Sequence, residues 1–303
     1  MAKQVLSISG GKDSTAMWLL ALERGADIHQ VVFADTGHEH PITYGYVDYL
    51  ESKLGPVKRV KADFTNRIAH KRWVVQTKWR KDGVSEDIIE SALEVLQPTG
   101  NPFLDLCLYK GRFPSTKARF CTQELKLEPI ETKAFAPIIE SGDGVVSWQA
   151  IRKQESAARA MLTEREHTIG VVHAYEVYRP ILEWAVDDVF AMHRRHGIMP
   201  NPLYEQGMSR VGCMPCINSR KDELFEIARR FPAEIGRVAE WERLVGLASK
   251  RAESSFFKHD DTMGEGIREV VEWSKTARGG KQYDLFKIND DVPMCSSLYG
   301  LCE

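Results

Sequence analysis

Runs of apolar residues in this chain alternate between strand-like and helical spacing, and the alternation itself predicts the fold. VLSIS (Val5–Ser9) reads as a buried strand, Thr15–Gly25 carries apolar residues at helical spacing, and IHQVVFADT (Ile28–Thr36) reads as a second buried strand. A helix near Tyr44–Leu54 leads into a third strand at Gly55–Ala62. Gly142–Ile151 and His167–Ile181 supply two further strands. Strands alternating with helices predict an α/β fold with a doubly wound, mostly parallel sheet and ligands at the carboxyl ends of its strands. Thr65–Ala118, mixed in pattern and rich in Trp, Arg and Lys, reads as a helical insertion that covers the site. The expected organisation is therefore an α/β domain over 1–219 and a helical, polar region over 220–303 ending in the tail MCSSLYGLCE, Met294–Glu303.

Composition narrows this picture. The 303 residues, 43% of them hydrophobic, are enough to bury a large core. Lys and Arg number 41 against 43 Asp and Glu, a net charge of −2, so no global field draws the chain onto nucleic acid, although a local basic patch would. No apolar run has transmembrane length, and the start of the chain lacks the pattern of a signal peptide; a soluble, cytoplasmic protein without a membrane partner is expected. Six cysteines in a chain of this length suit metal binding or catalysis in a reducing compartment better than a disulfide framework.

The densest chemical signal follows the first strand. Ser9-Gly10-Gly11-Lys12-Asp13-Ser14 places two glycines where the backbone can approach an anion closely, just before a helix whose amino end points its amides and dipole at that anion. Lys12 adds a point charge, and Ser9 and Ser14 add hydroxyl donors. The Walker pattern GxxxxGK[ST] is absent. Farther on, Cys213 and Cys216 in GCMPC have the C-x-x-C spacing of a redox pair, a zinc site or an iron-sulfur site.

SGGKDS resembles the PP-loop of the ATP pyrophosphatase (adenine nucleotide alpha hydrolase-like) superfamily, which grips the pyrophosphate of an adenine nucleotide on a HUP-like, Rossmann-type sheet. Within it, the chain resembles the phosphoadenosine phosphosulfate (PAPS) reductase-like family. The resemblance is carried by FADTGHEHPITYGYV (Phe33–Val47), RFCTQELKLEPI (Arg119–Ile130), IRKQESAAR (Ile151–Arg159) and the long stretch PILEWAVDDVFAMHRRHGIMPNPLYEQGMSRVGCMPC (Pro180–Cys216), all in the family's order. It spans roughly Val5 to Asn218 and is weaker over the insertion and after Arg220.

The resemblance implies that Ser9, Gly10, Gly11, Lys12, Asp13 and Ser14 hold the phosphates, with Asp13 positioning Lys12 or a magnesium ion. Asp35, Thr36 and Gly37 would meet the base and ribose. Arg152, Lys153 and Arg159 would bind a phosphate or sulfate tail, with Glu155 orienting Arg152. It further implies a 4Fe-4S cluster, with zinc as the alternative, on Cys121, Cys213 and Cys216. Adenylylsulfate (APS) reductases have two adjacent upstream cysteines, but the second place here is Thr122. That departure leaves the fourth ligand open among Cys295, Cys302 and Cys107; Cys295 is favoured, since a C-terminal tail with two cysteines suits a return to the site, whereas Cys107 in LDLCLY reads better as a small buried hydrophobe. Family reductases carry a nucleophilic cysteine in a C-terminal Glu-Cys-Gly motif; this chain ends YGLCE, which makes Cys302 the candidate nucleophile beside Lys12 and Arg152.

Two activities follow. One is reduction of PAPS or APS to sulfite with a thioredoxin-like reductant. The other is ATP pyrophosphatase chemistry with magnesium, activating a nucleic acid or small molecule for sulfur insertion, as in DNA phosphorothioation or tRNA thiolation, with a donor such as a cysteine desulfurase. An adenine nucleotide is the partner in both, and a homo-oligomer is expected. The basic, aromatic run KGRFPSTKARF (Lys110–Phe120) suits a nucleotide 3′-phosphate or a nucleic-acid backbone.

Overall fold

β1 (Ala2–Ile8) is the strand about which the rest is arranged, because Val5 and Leu6 bury opposite faces of it and both of its edges are paired. A strand enclosed on all sides is built from successive apolar residues and not from polar alternation. β2 (Ile28–Asp35) and β4 (Gly144–Trp148) run parallel to it on either side. β3 (Val57–Lys61) extends the sheet beyond β2, and β6 (Ala174–Tyr178) beyond β4, both parallel. β5 (Arg165–Ile169) closes the far edge antiparallel to β6, giving the order β3-β2-β1-β4-β6-β5. The computed structural model from which this description is drawn describes residues 2–257 and 263–277.

The expected doubly wound, mostly parallel sheet is therefore present. One expectation is corrected: His167–Ile181 is not a single strand but the β5–β6 hairpin. Gly170 N–H donates to His173 O at 2.9 Å and turns the chain, and Val171 and Val172, which read as strand interior, lie exposed in that turn. A buried carboxylate, Glu131, accepts the amides of both valines and the Tyr175 hydroxyl, so a long-range contact makes a turn out of a β-prone sequence. At the other edge, β3 exposes Lys58, Arg59 and Lys61, charges that oppose further strand pairing.

Helices cover both faces. α1 (Lys12–Glu23), α2 (Pro41–Leu54) and the helix Val186–His196 pack Met17, Leu50 and Val189 against Leu6 and Phe33. On the opposite face the 120–140 helix sets Ala134, Phe135 and Ile138 against Val5, Val32 and Val145. The insertion is helical, as expected: α3 (Thr65–Val74) runs on through a π-helical turn (Val75–Trp79), followed by α4 (Glu86–Val95) and α5 (Pro102–Lys110). Its Ile68, Ile89 and Leu106 share one apolar core with Leu224, Val238 and Val270 from the helices after residue 220. Among the described residues no helix is long and apolar enough to cross a membrane.

Chain order fixes where a ligand can bind. β1 leads through α1 to β2 and through α2 to β3, and the chain then returns to place β4 on the other side of β1. The loops after β1 and β4 consequently diverge and leave a crevice at the carboxyl edge of the sheet.

Because the insertion and the C-terminal helices share a core, Ile68→Ala should lower the stability of the whole chain by about 2–5 kcal/mol. A urea titration followed by tryptophan fluorescence and circular dichroism should show one shifted transition; two separated transitions would contradict the shared core.

Candidate active site

The loop at the head of β1 is held in a shape that only its own sequence permits. Gly10 has φ +73°, and a Cβ there would lie 2.8 Å from Thr43 Cγ2. Gly11 caps α1, and Ser14 and Thr15 hydroxyls both donate to its carbonyl, at 3.0 and 3.1 Å. Ser9 N–H donates to Ser14 Oγ at 3.1 Å, and Gly11 N–H approaches Ser9 Oγ at 3.4 Å. The two serines thus order the loop internally.

Three further residues hold the loop from the helix Val186–His196 and the segment after it. Asn201 Nδ2 donates to Gly10 O at 3.0 Å, buried His193 Nε2 lies 3.0 Å from Lys12 O, and Lys12 N–H donates to the Tyr204 hydroxyl at 3.0 Å. The Lys12 ammonium also lies over the Tyr204 ring, 5.0 Å from its centroid. Composition gave these three residues no role; the one available signal was the spacing of NPLY within the family-like stretch.

Two cations are buried here, Lys12 at 7% and Arg152 at 6% exposure, with Asp13 between them. Lys12 Nζ is 3.4 Å from Asp13 Oδ2, and Arg152 Nε donates to Asp13 Oδ1 at 2.5 Å. Asp13 thus positions Lys12, as expected, and it orders Arg152 as well. The formal charge of the trio is +1 at the amino end of a helix, which favours an anion. Glu155 was expected to orient the Arg152 guanidinium but acts on its main chain, accepting Arg152 N–H at 3.0 Å. Its carboxylate pairs with Arg159, and Lys153 pairs with Glu183, so these side chains are engaged with one another on the flank of the site.

At the end of β2, Asp35 accepts Gly37 N–H at 2.9 Å and the Tyr44 hydroxyl at 2.7 Å. Gly37, at φ +73°, lies against the insertion: Asn101 Nδ2 donates to its carbonyl at 2.6 Å, and a Cβ would come within 2.7 Å of Pro102 Cδ. Thr36 is fully buried; its hydroxyl donates to buried Glu39 at 2.7 Å and lies 3.6 Å from Cys213 Sγ. Glu39 and Cys213 form an isolated β-bridge, which joins the end of β2 to the cysteine turn.

Cys121, Cys213 and Cys216 share one electrostatic neighbourhood with Lys126 and Glu39. Burial pushes the Cys213 thiol up to about 12 against the opposing pull of Lys126, and burial and then Cys216 raise Cys121. An ionised Cys213 in turn pushes Lys126 up, with Glu39, Cys216 and Cys121 adding to the effect. Asn218 N–H points at Cys216 Sγ at 3.5 Å. Among the described residues, no three His, Cys, Asp or Glu side chains are arranged to hold a metal ion as they stand. Cys107 is fully buried in the apolar core, with burial raising its pKa, in keeping with its reading as a small hydrophobe. Cys295 and Cys302 lie outside the described residues.

The cysteine turn is braced from the C-terminal helices. Arg237 Nη2 donates to Met214 O at 3.0 Å and lies 3.2 Å from Nδ1 of His38, whose Nε2 faces Pro215 O at 2.8 Å. Burial first, and then Arg237, lower the His38 pKa to about 3, so its ring is neutral and matches one donor and one acceptor. Met214 N–H completes the brace by donating to His38 O at 2.9 Å.

A glycine loop after β1, two buried cations and a thiol-rich turn tied to the end of β2 lie on one α/β sheet. The model of the phosphoadenosine phosphosulfate reductase domain matches residues 3–219, and the chain belongs to that family. It is 53% identical to a 37.8 kDa protein of the gpa 5′ region of Escherichia phage 186, over 99% of this chain and 96% of the relative. It is 33% identical to an adenosine 5′-phosphosulfate reductase of Allochromatium vinosum, over 35% of this chain and 38% of that protein. Among solved structures, PAPS reductase from Candida auris, a phosphate complex, aligns with a TM-score of 0.42 and 15% identity over 70% of this chain and 82% of that one.

Arg237→Met removes the brace while keeping apolar bulk. In metal-free protein, Cys213 and Cys216 should then react with a thiol reagent about tenfold faster, as losing a charged hydrogen bond of about 1.5 kcal/mol implies. Unchanged kinetics would show that Arg237 does not hold the turn.

Proposed function

We propose that the protein binds an adenine nucleotide with its charged tail in the Ser9–Ser14 loop and carries out sulfur chemistry on it, the leading reaction being reduction of PAPS or APS to sulfite. The observation that carries this reading is the Lys12–Asp13–Arg152 trio, which bridges the loops after β1 and β4 in a chain of the PAPS reductase domain family. The Cys302 thiolate would attack the sulfonate sulfur of the substrate. As the new S–S bond forms, the S–O bond to phosphate breaks, its electron pair leaves on the nucleotide, and a cysteine thiosulfonate remains. A thioredoxin-like dithiol then attacks the Cys302 sulfur, sulfite leaves, and the dithiol is oxidised to a disulfide. Lys12, Arg152 and the α1 amides would stabilise the charge growing on the leaving phosphate. Asp13 would keep both cations in place.

Cys121, Cys213 and Cys216 fit a thiolate-bound centre in chemistry, with hydrogen-bond donors and a lysine around the sulfurs. We assign them to a 4Fe-4S cluster whose fourth ligand, Cys295, lies outside the described residues. When bound, the cluster would supply fixed charge and a covalent tie beside the nucleotide.

The completeness of the loop favours a second reading. Gly10, Gly11, Lys12, Ser9 and Ser14 form a full set suited to a pyrophosphate leaving group, so ATP with magnesium would adenylate an acceptor and release pyrophosphate. A persulfide donor would then displace AMP.

The test is to assay anaerobically purified protein for sulfite from PAPS or APS with reduced thioredoxin, beside pyrophosphate from ATP. Sulfite release that Cys302→Ser abolishes is the expected result. Pyrophosphate without sulfite would overturn the reductase reading in favour of the second.

A further inference from the structure

Charge in this chain is sorted by sign in two places that meet. Positions 106–123 hold four cations, Lys110, Arg112, Lys117 and Arg119, and no carboxylate. Positions 65–81, α3 and its π-helical continuation, hold six Lys and Arg and again no carboxylate. Arg67 joins the two stretches by pairing with Glu124 at 2.5 Å and Glu128 at 2.8 Å, and Lys110 pairs with the same Glu124 at 2.8 Å.

Several of these cations serve the fold. Arg72 Nη1 donates to Leu96 O at 3.0 Å, Arg80 pairs with Glu86 at 2.9 Å, and half-buried Lys71 lies over the Trp79 ring. Arg112, Lys117, Arg119, Lys78 and Lys81 remain exposed. Trp73, on α3, is 51% exposed, stacked with His70 at 5.8 Å and with the Lys78 ammonium 5.8 Å from its centroid.

We propose that this surface is a landing site for single-stranded nucleic acid, with Arg112 and Lys117 on backbone phosphates and Trp73 stacking an unpaired base. Exposed cations without carboxylates answer a polyanion, and the exposed ring answers a base that is not already stacked, which duplex does not offer. The 111–119 loop runs straight into Cys121, which brings a bound strand to the cysteine centre. The inference holds with either reaction proposed above.

The test is fluorescence anisotropy of labelled oligo(dT), oligo(U) and duplex DNA on the full chain at rising salt, with binding of ATP and PAPS measured in parallel. Single strands should bind in preference to duplex. The double variant Arg112→Ala, Lys117→Ala should lose about tenfold or more in affinity, and its salt slope should fall by about 1.4, roughly 0.7 for each phosphate no longer neutralised. Trp73→Ala should lose about tenfold with the slope unchanged, as removal of one stacked base predicts. No oligonucleotide binding, preference for duplex, or equal binding by the variants would overturn the proposal. So would a double variant that loses affinity for PAPS but not APS while no oligonucleotide binds, since the loop would then read a 3′-phosphate. Intact ATP or PAPS binding in these cases would leave the nucleotide reading standing.

Discussion

Two cations and one carboxylate share the space between the loops after β1 and β4, and most of what surrounds them exists to make that tolerable. Removing a charged group from water costs several kcal/mol, and Asp13, which touches both Lys12 and Arg152, offsets that cost at 6–7% exposure. The trio carries a formal charge of +1 at the amino end of α1, which suits an anion. The sheet topology makes this arrangement possible, because Asp13 follows β1 and Arg152 follows β4, the two strands between which the winding reverses.

The same constraint explains how the phosphate loop and the cysteine turn are joined. His193, Asn201 and Tyr204 fix Lys12 and Gly10 from below, and nine residues after Tyr204 the chain reaches Cys213. Cys213 pairs with Glu39, which is hydrogen-bonded to Thr36 at the end of β2. Nucleotide loop, β2 end and cysteine turn therefore form one braced unit. Arg237 extends that brace into helices beyond the part of the chain that defines the family.

How much of this could be read beforehand follows the range of the interactions. Local patterns located the β1–loop–α1 unit, β2, β3 and β4, because a buried parallel strand and a glycine loop announce themselves within a few residues. The β5–β6 hairpin did not, because Val171 and Val172 have strand propensity and only buried Glu131, about forty residues away, makes them a turn. The motif singled out Arg152 and suggested Glu155 as the group that orients it, but the guanidinium's partner is Asp13, 139 residues away. Tyr204, Asn201, Glu39 and Arg237 act through contacts distant in sequence and carry no composition signal of their own.

Binding of an anion by Lys12, Asp13 and Arg152 is the central claim. Calorimetric titration of ATP and of PAPS into the wild-type chain and into Arg152→Met, with thermal melts of both, tests this most directly. Measurable binding by the wild type, weakened at least about tenfold in a variant that still melts cooperatively, is the predicted result, since one charge-assisted contact to phosphate is worth about 1.5–3 kcal/mol. Equal affinity in the two proteins, or no binding by a folded wild type, would contradict it.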